Sequence, residues 1–353
     1  LKSHHRLNIK ESVRQFISYF FTLLALFTTT YLILPTTFQT IYPKFLEPEL
    51  DEQVRTHFQA DIVREEPDIV LLGDSALEVG VNEQTLSTLI DKSVYKIGFD
   101  GSGSAVWYLI IKNNLFTSPY KPKTLIIFFR DTMLTTPDFR VTGKYFSFVD
   151  ELADSKDDLL IQFAYLDGMS LLERMAANYF PLYGERLGVR TALENPFKYG
   201  LPGNLSGYDS RKIDHAIGNI FNNANLDPEI LNASLANSDN YLFKEENLDF
   251  KGKIKRSFLP EIIRLCEEAG IELIFVQVKT LFYSSENSKP SALQAYGIAL
   301  TRYFSERRIP LIDFSNDPRV SQNWFVDIIH FSKEGKTAFT TLLAEELNAV
   351  LEK

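Results

Sequence analysis

The sequence predicts an α/β protein: a doubly wound, parallel, five-stranded sheet preceded by one membrane-spanning helix. Three observations carry that expectation. Five short aliphatic or β-branched runs recur along the chain, helical apolar periodicity separates them, and an uncharged stretch of about 19 residues lies near the N-terminus. The bulk properties agree with a large globular core. The chain has 353 residues, of which 45% are hydrophobic and 24% charged, which excludes wholesale disorder. A net charge of −9 argues against nucleic acid as a partner, because phosphate neutralisation needs a basic face. Cys266 is the single cysteine, so there is neither an intrachain disulfide nor a CxxC zinc or redox framework.

The elements follow in order. Residues 1–15 form a basic tail in which Lys2, Arg6, Lys10 and Arg14 outnumber Glu11, leaving −12 on the rest of the chain. Residues 16–34 (Phe16 to Leu34) carry no charge and, at about 1.5 Å per residue, reach roughly 28 Å, close to the thickness of a bilayer's hydrocarbon. After the span, Lys44 is outnumbered by Glu47, Glu49, Asp51 and Glu52. The positive-inside rule then places the N-terminus in the cytoplasm and the remainder outside. Two other readings compete. A cleaved signal has a shorter apolar region and a small-residue cleavage site, which Pro35-Thr36-Thr37-Phe38 does not supply. A buried soluble helix is the other, favoured by Ser18, Thr22 and Thr28 to Thr30. The expectation is an uncleaved anchor, followed by a polar connector over 35–64.

From 65 to 353 the pattern alternates. Asp68-Ile69-Val70-Leu71-Leu72 ends in Gly73 and reads as a strand buried on both faces, as do Val94 to Ile97, Leu125 to Phe129, Leu273 to Val278 and Leu311 to Phe314. Helices are predicted over Glu83 to Ile90, Gly103 to Leu115, Leu259 to Ala269, Ala292 to Arg307 and Lys333 to Leu351. In the last, Phe339, Leu343, Leu347 and Leu351 fall on one helical face. Residues 132–256 break the rhythm and are too long for a simple loop, which predicts an inserted cap with its own helices.

The chemistry centres on Gly73-Asp74-Ser75, at the C-terminal end of the first strand, where open α/β sheets bind ligands. Ser75 there is a candidate nucleophile, although Ser75-Ala76-Leu77-Glu78 also fits a helix capping box. Asp327-Ile328-Ile329-His330, just before the last helix, separates the two readings. A serine hydroxyl needs a base within hydrogen-bond reach and a group that orients the base. His330 can be that base, and Asp327, three residues earlier, can turn back to its other ring nitrogen. Of five histidines, His4 and His5 lie in the tail, His57 in the connector and His215 in the insert, so only His330 follows the last strand. No metal cluster or phosphate-cradling loop is evident, and neither metal nor cofactor is expected.

With these residues in view, the chain resembles the SGNH (GDSL-like) hydrolase and acyltransferase superfamily. The matching features are Gly73-Asp74-Ser75, the turn Gly98-Phe99-Asp100-Gly101-Ser102-Gly103 after strand two, a block after strand three, and Asp327-x-x-His330 followed by Ser332-x-x-Gly335. The resemblance implies a flavodoxin-like, three-layer fold, Ser75 as nucleophile, His330 as base and Asp327 as its orienting carboxylate. It further implies an oxyanion hole built from the Ser75 amide and a glycine amide of the turn, with Gly98, Gly101 and Asp74 among the oxyanion and substrate-binding candidates. The third block departs from the family pattern: Phe128-Phe129-Arg130-Asp131 stands where Gly-x-Asn is usual. Arg130 can replace the missing donor, pair locally with Asp131 or bind an anionic substrate group; Arg140 can lie at the surface or at the same mouth.

An outward-facing anchor and this site together resemble envelope acyltransferases such as the teichoic acid D-alanylation and alginate O-acetylation proteins. The implied function is an extracytoplasmic, serine-dependent O-acyltransferase or esterase acting on a cell-envelope polysaccharide or glycolipid. The implied partners are the membrane and an integral-membrane acyl donor such as a membrane-bound O-acyltransferase, with no nucleic acid. The rival from another class is a non-catalytic, glycan-binding or scaffolding subunit.

Overall fold

The computed structural model describes residues 9–38, 42, 56–141, 149, 152–153, 157–166, 171–184, 189, 232, 236–237, 239–283 and 290–351. The basic tail before Ile9 and most of the predicted connector and insert lie outside them. The chain divides into two compact units: Leu1–Leu46 with Met169–Ile220, and Glu47–Gly168 with Phe221–Lys353.

In the first unit, helix α1 runs from Ile9 to Phe38, longer at both ends than the apolar stretch that predicts it. Its large side chains are exposed along its length, with Phe16 at 70%, Tyr19 at 75% and Leu32 at 65%, so it is not the buried core helix of the competing reading. The threonines that dilute its hydrophobicity turn their hydroxyls inward. Thr22, Thr28 and Thr30 donate to the carbonyls of Ser18, Leu24 and Leu26 at 2.8–2.9 Å, and Thr37 to that of Ile33. Each hydroxyl is thereby satisfied within the helix and needs no water.

The second unit opens with α2 (His57–Glu65), a short helix where a connector is expected; Ile62 anchors it, and the Gln59 amide donates to Asn114 Oδ1 at 3.1 Å. The sheet follows. Strands β1 (Ile69–Gly73), β2 (Val94–Gly98) and β3 (Thr124–Phe129) alternate with α3 (Ser75–Gly80), α4 (Glu83–Ile90) and α5 (Ser104–Ile110), which continues to Phe116 with wider, π-type turns. The first unit holds α6 (Leu171–Tyr179) and α7 (Pro181–Gly184). The second unit resumes with α8 (Leu259–Ala269), β4 (Glu272–Gln277), α9 (Ser291–Glu306), β5 (Leu311–Asp313) and α10 (Lys333–Leu351).

All pairings are parallel and the strand order is β2-β1-β3-β4-β5, the doubly wound sheet that the sequence predicts. Period-2 alternation sends Ile69, Leu71, Ile126, Phe128, Ile274 and Val276 to one face, where they pack with Phe339, Leu343 and Leu347 of α10. The opposite face carries Phe275, stacked on Phe304 of α9 with centroids 4.4 Å apart, and Phe129 edge-on to it. Covering both faces explains why these strands read as continuous apolar runs.

The interval 132–256 is divided between the units. Its first residues belong to the core of the sheet unit: Met133, Leu134, Phe139 and Val141 are buried, and Thr132 Oγ1 donates to the Leu242 carbonyl at 2.7 Å. The Thr135 and Tyr296 hydroxyls are bonded at 2.8 Å. Nothing in the sequence pattern marks these contacts, because they join residues more than a hundred positions apart.

Candidate active site

Strand β1 ends where its neighbour does, with Gly73 opposite Gly98 in register. Asp74 then leaves the sheet in an extended conformation and caps α3, its Oδ1 accepting from the Ala76 amide at 2.9 Å. Asp74 is therefore the cap, and the capping-box reading of Ser75 does not hold. Ser75 is the first helical residue, and Glu78 turns away from it to pair with Lys96 at 3.0 Å. This arrangement frees the Ser75 hydroxyl.

That hydroxyl lies 2.8 Å from His330 Nε2, and His330 Nδ1 lies 2.8 Å from Asp327 Oδ2. With the carboxylate accepting from Nδ1–H, Nε2 is left with a lone pair for the Ser75 proton. The loop that presents His330 is closely tied. Asp327 Oδ1 accepts from the amides of Ile329 and His330, both at 2.7 Å, which bends the chain back over the carboxylate. Phe325 bridges Phe331 across the loop, the Val326 amide donates to the His330 carbonyl, and the Leu281 amide donates to that of Ile328. Asn232 Oδ1 accepts from the Ile328 amide at 3.0 Å. Burial pushes the Asp327 carboxyl up, but the hydrogen bonds from the His330 ring and the His330 and Ile329 amides outweigh it and hold it below the usual aspartate value. The Asp327 side chain is 4% exposed and that of His330 16%, so the carboxylate is shielded while the imidazole edge reaches the surface.

The turn after β2 runs beside this serine. The Phe99 amide donates to the Gly73 carbonyl, and the Ser102 amide to that of Phe99. Gly98 is required by close approach: a Cβ there would come within 2.8 Å of the Glu78 Cα. Gly101 sits at φ +76°, a conformation open to glycine and costly for a side chain. Among the described residues, neither the Ser75 nor the Gly101 amide is engaged in a hydrogen bond, as an oxyanion donor must be before substrate arrives.

Arg130 is enclosed. Its side chain is 1% exposed, its Nε bonds Asp74 Oδ2 at 3.2 Å and its Nη1 bonds Asp239 Oδ2, with Asp131 at 4.0 Å. Burial works to lower its pKa, and the carboxylates of Asp239, Asp74 and Asp131 outweigh that and hold it above the ordinary arginine value. Its Nη2 is buried without a hydrogen-bond partner. Arg140 reaches the other oxygen of Asp239 at 3.1 Å. Of the three readings of Arg130, the structure supports pairing, but mainly with Asp74 and Asp239 rather than with the adjacent Asp131. The guanidinium is thus bonded to the carboxylate that caps the Ser75 helix. Asp239 and Asn232 are the site residues that the sequence does not announce. Both sit in the irregular interval, and neither belongs to a spacing pattern.

His4, His5 and His215 lie outside the described residues, and His57 packs edge-on against Phe58 in α2. Among the described residues there is no group of three or more His, Cys, Asp or Glu able to hold a metal.

No protein-family model matches the chain, and no curated protein matches it. Solved structures with a similar layout include a GDSL-like lipase from Bacteroides thetaiotaomicron, at 10% identity, covering 85% of this chain and 98% of that one with a TM-score of 0.38. A lipolytic G-D-S-L family protein from Desulfitobacterium hafniense has 11% identity, 80% and 98% coverage and a TM-score of 0.37. An acetyl xylan esterase has 10% identity, 80% and 98% coverage and a TM-score of 0.35. At such values, what the site can do is decided by its own residues.

Proposed function

We propose that the chain is a serine-dependent O-acyltransferase or esterase of the SGNH type that works through an acyl-Ser75 intermediate. The observation that carries this reading is the continuous chain of 2.8 Å contacts from Ser75 Oγ through His330 to Asp327. Ser75 Oγ attacks the carbonyl carbon of an ester as His330 Nε2 takes its proton, and Asp327 stabilises the imidazolium. The unengaged Ser75 and Gly101 amides are the donors for the oxyanion that forms. The intermediate collapses, the C–O bond to the leaving alcohol breaks, and His330 returns the proton to that alcohol. A second hydroxyl, from a sugar or from water, then repeats the steps in reverse and releases Ser75.

The proposed substrate class is built on α1. An exposed apolar helix long enough to cross a bilayer, with basic residues before it and acidic residues after it, supports an anchored enzyme whose sheet unit faces outward. Its acceptor is then a polysaccharide or glycolipid of the envelope, and its donor an integral-membrane protein such as a membrane-bound O-acyltransferase. Transfer is preferred to hydrolysis because a tethered enzyme meets a membrane-held donor at high effective concentration.

A serine-reactive fluorophosphonate tests the chemistry. The expected result is covalent labelling of the wild type at Ser75 and none of Ser75→Ala. A folded wild type that neither labels nor cleaves any simple acyl ester would leave a binding or scaffolding subunit as the better reading.

A further inference from the structure

The first unit contains a second apolar element against α1. The short α7 (Pro181–Gly184) packs on the span, and α6 (Leu171–Tyr179) packs on α7; between them the Phe180 ring lies 6.2 Å from the Phe27 ring at an interplanar angle of 61°. Phe27 lies near the middle of the apolar stretch Val13–Thr37. At about 1.5 Å per residue it is roughly 15 Å from the Thr37 end, which is half of a roughly 30 Å hydrocarbon layer.

Whatever solvent surrounds the middle of α1 therefore also surrounds Phe180. The side chains there suit hydrocarbon. Leu172, Met175, Tyr179, Phe180 and Leu182 are exposed, Leu172 by 77% and Tyr179 by 52%. The two charged residues of α6, Glu173 and Arg174, fall in its first turn, and the ten residues from Met175 to Gly184 carry no charge. Asn178, the polar residue among them that hydrocarbon would reject, has its amide oxygen buried away from the surface, without a hydrogen-bond partner among the described residues. The backbone closes on itself, with the Phe180 amide donating to the Ala176 carbonyl and the Tyr183 amide to that of Phe180, both at 2.9 Å. Nine helical residues extend about 14 Å, about half of the hydrocarbon layer, so α6 is long enough to run from the headgroups towards Phe180 at the midplane.

We infer that residues 171–184 form a re-entrant membrane element, seated beside α1 with Met175, Tyr179, Phe180 and Leu182 in contact with lipid acyl chains. The inference rests on reading α1 as a membrane anchor. It gives the chain a second hold on the bilayer beside α1, in a stretch of the first unit that the sheet unit brackets in sequence. A cleaved signal would not leave α1 in place for such packing.

Nitroxide labels on single introduced cysteines of the full-length chain in phosphatidylcholine/phosphatidylglycerol vesicles test it. The native Cys266 is buried and its thiol is pushed up to about 12 by that burial, which keeps it out of the labelling. The labelled variants are Met175→Cys and Tyr179→Cys, with Phe20→Cys on α1 and Ile298→Cys on the exposed face of α9 as references. Collision with a water-soluble nickel chelate should be at least about tenfold lower at 175 and 179 than at 298, because hydrocarbon excludes the polar chelate. Collision with oxygen should match position 20. Nickel access at 175 and 179 with position 20 in lipid overturns the inference and leaves the anchor intact. Nickel access at position 20 overturns the anchor and the inference with it. Protection of 175 and 179 from both reagents assigns the surface to a protein partner and overturns contact with lipid.

Discussion

Asp327 and Asp74 are two buried aspartates with the same division of labour and different consequences. Each uses one carboxylate oxygen to hold backbone amides: Asp327 those of Ile329 and His330, Asp74 that of Ala76. The other oxygen holds a nitrogenous side chain, His330 in one case and Arg130 in the other. The imidazole has a second ring nitrogen whose lone pair can accept a proton from Ser75, whereas the guanidinium offers only donors. One aspartate therefore holds the candidate base, and the other caps and braces the helix that carries the candidate nucleophile. Two similar carboxylates are divided between chemistry and positioning by the partner that the fold brings to each.

Removing the reacting groups themselves draws the sharpest contrast. Ser75→Ala and His330→Ala are expected to lower ester cleavage by about 10⁴-fold or more while leaving the unfolding midpoint in denaturant close to that of the wild type. Asp327→Asn, which lets His330 adopt the wrong tautomer, is expected to cost about 10³- to 10⁴-fold in kcat, read on the same ester substrate. Equal losses of stability and activity in these variants would erase the distinction between the two aspartates.

The Arg130 side of the comparison predicts the opposite balance. Arg130→Met leaves Asp74 buried without its cation and Asp239 with Arg140 alone, and is expected to destabilise the fold by about 3 to 5 kcal/mol in urea unfolding. Asp74→Ala removes the cap of α3 and should cost about 1 kcal/mol from the cap alone, and more through the stranded Arg130, with slower fluorophosphonate labelling of Ser75. An Arg130→Met variant as stable as the wild type would show that the cluster is not what holds the helix.

The smallest effect is in pH. Because the folded state holds the Asp327 carboxyl below its ordinary value, its ionised form contributes stability that is present above about pH 3.9 and is lost as pH falls through the folded-state value. The stability gap between wild type and Asp327→Asn should therefore close below that pH. A gap unchanged down to pH 2 would detach Asp327 from the hydrogen bonds assigned to it.

The regular part of the fold was legible because its physics is local. A strand buried on both faces must be an unbroken apolar run, and α10 must place Phe339, Leu343 and Leu347 on one side, so burial writes itself into spacing. The Ser75–His330–Asp327 juxtaposition was legible for a related reason: Gly73-Asp74-Ser75 and Asp327-x-x-His330 each end a strand or precede a helix, and a parallel sheet brings such ends to one edge. Arg130 was visible as a charge at the end of β3, but its role was not. Its carboxylate Asp239 is 109 positions away, in a stretch with no periodicity. The same holds for Asn232 beneath the histidine loop and for Phe180 on α1.

By itself, the sequence determined the five strands, the helices α4, α5, α8, α9 and α10 that alternate with them, the apolar span and the candidates for nucleophile, base and orienting acid, since each is marked by residues within a few positions of one another. The tertiary structure decided that Asp74 rather than Ser75 caps α3, that Arg130 belongs to a buried ion cluster, and that 132–256 is shared between two units. These outcomes depend on which distant groups meet in a place without water. There an unpaired charge or amide is costly enough to select its partner across a hundred residues of chain.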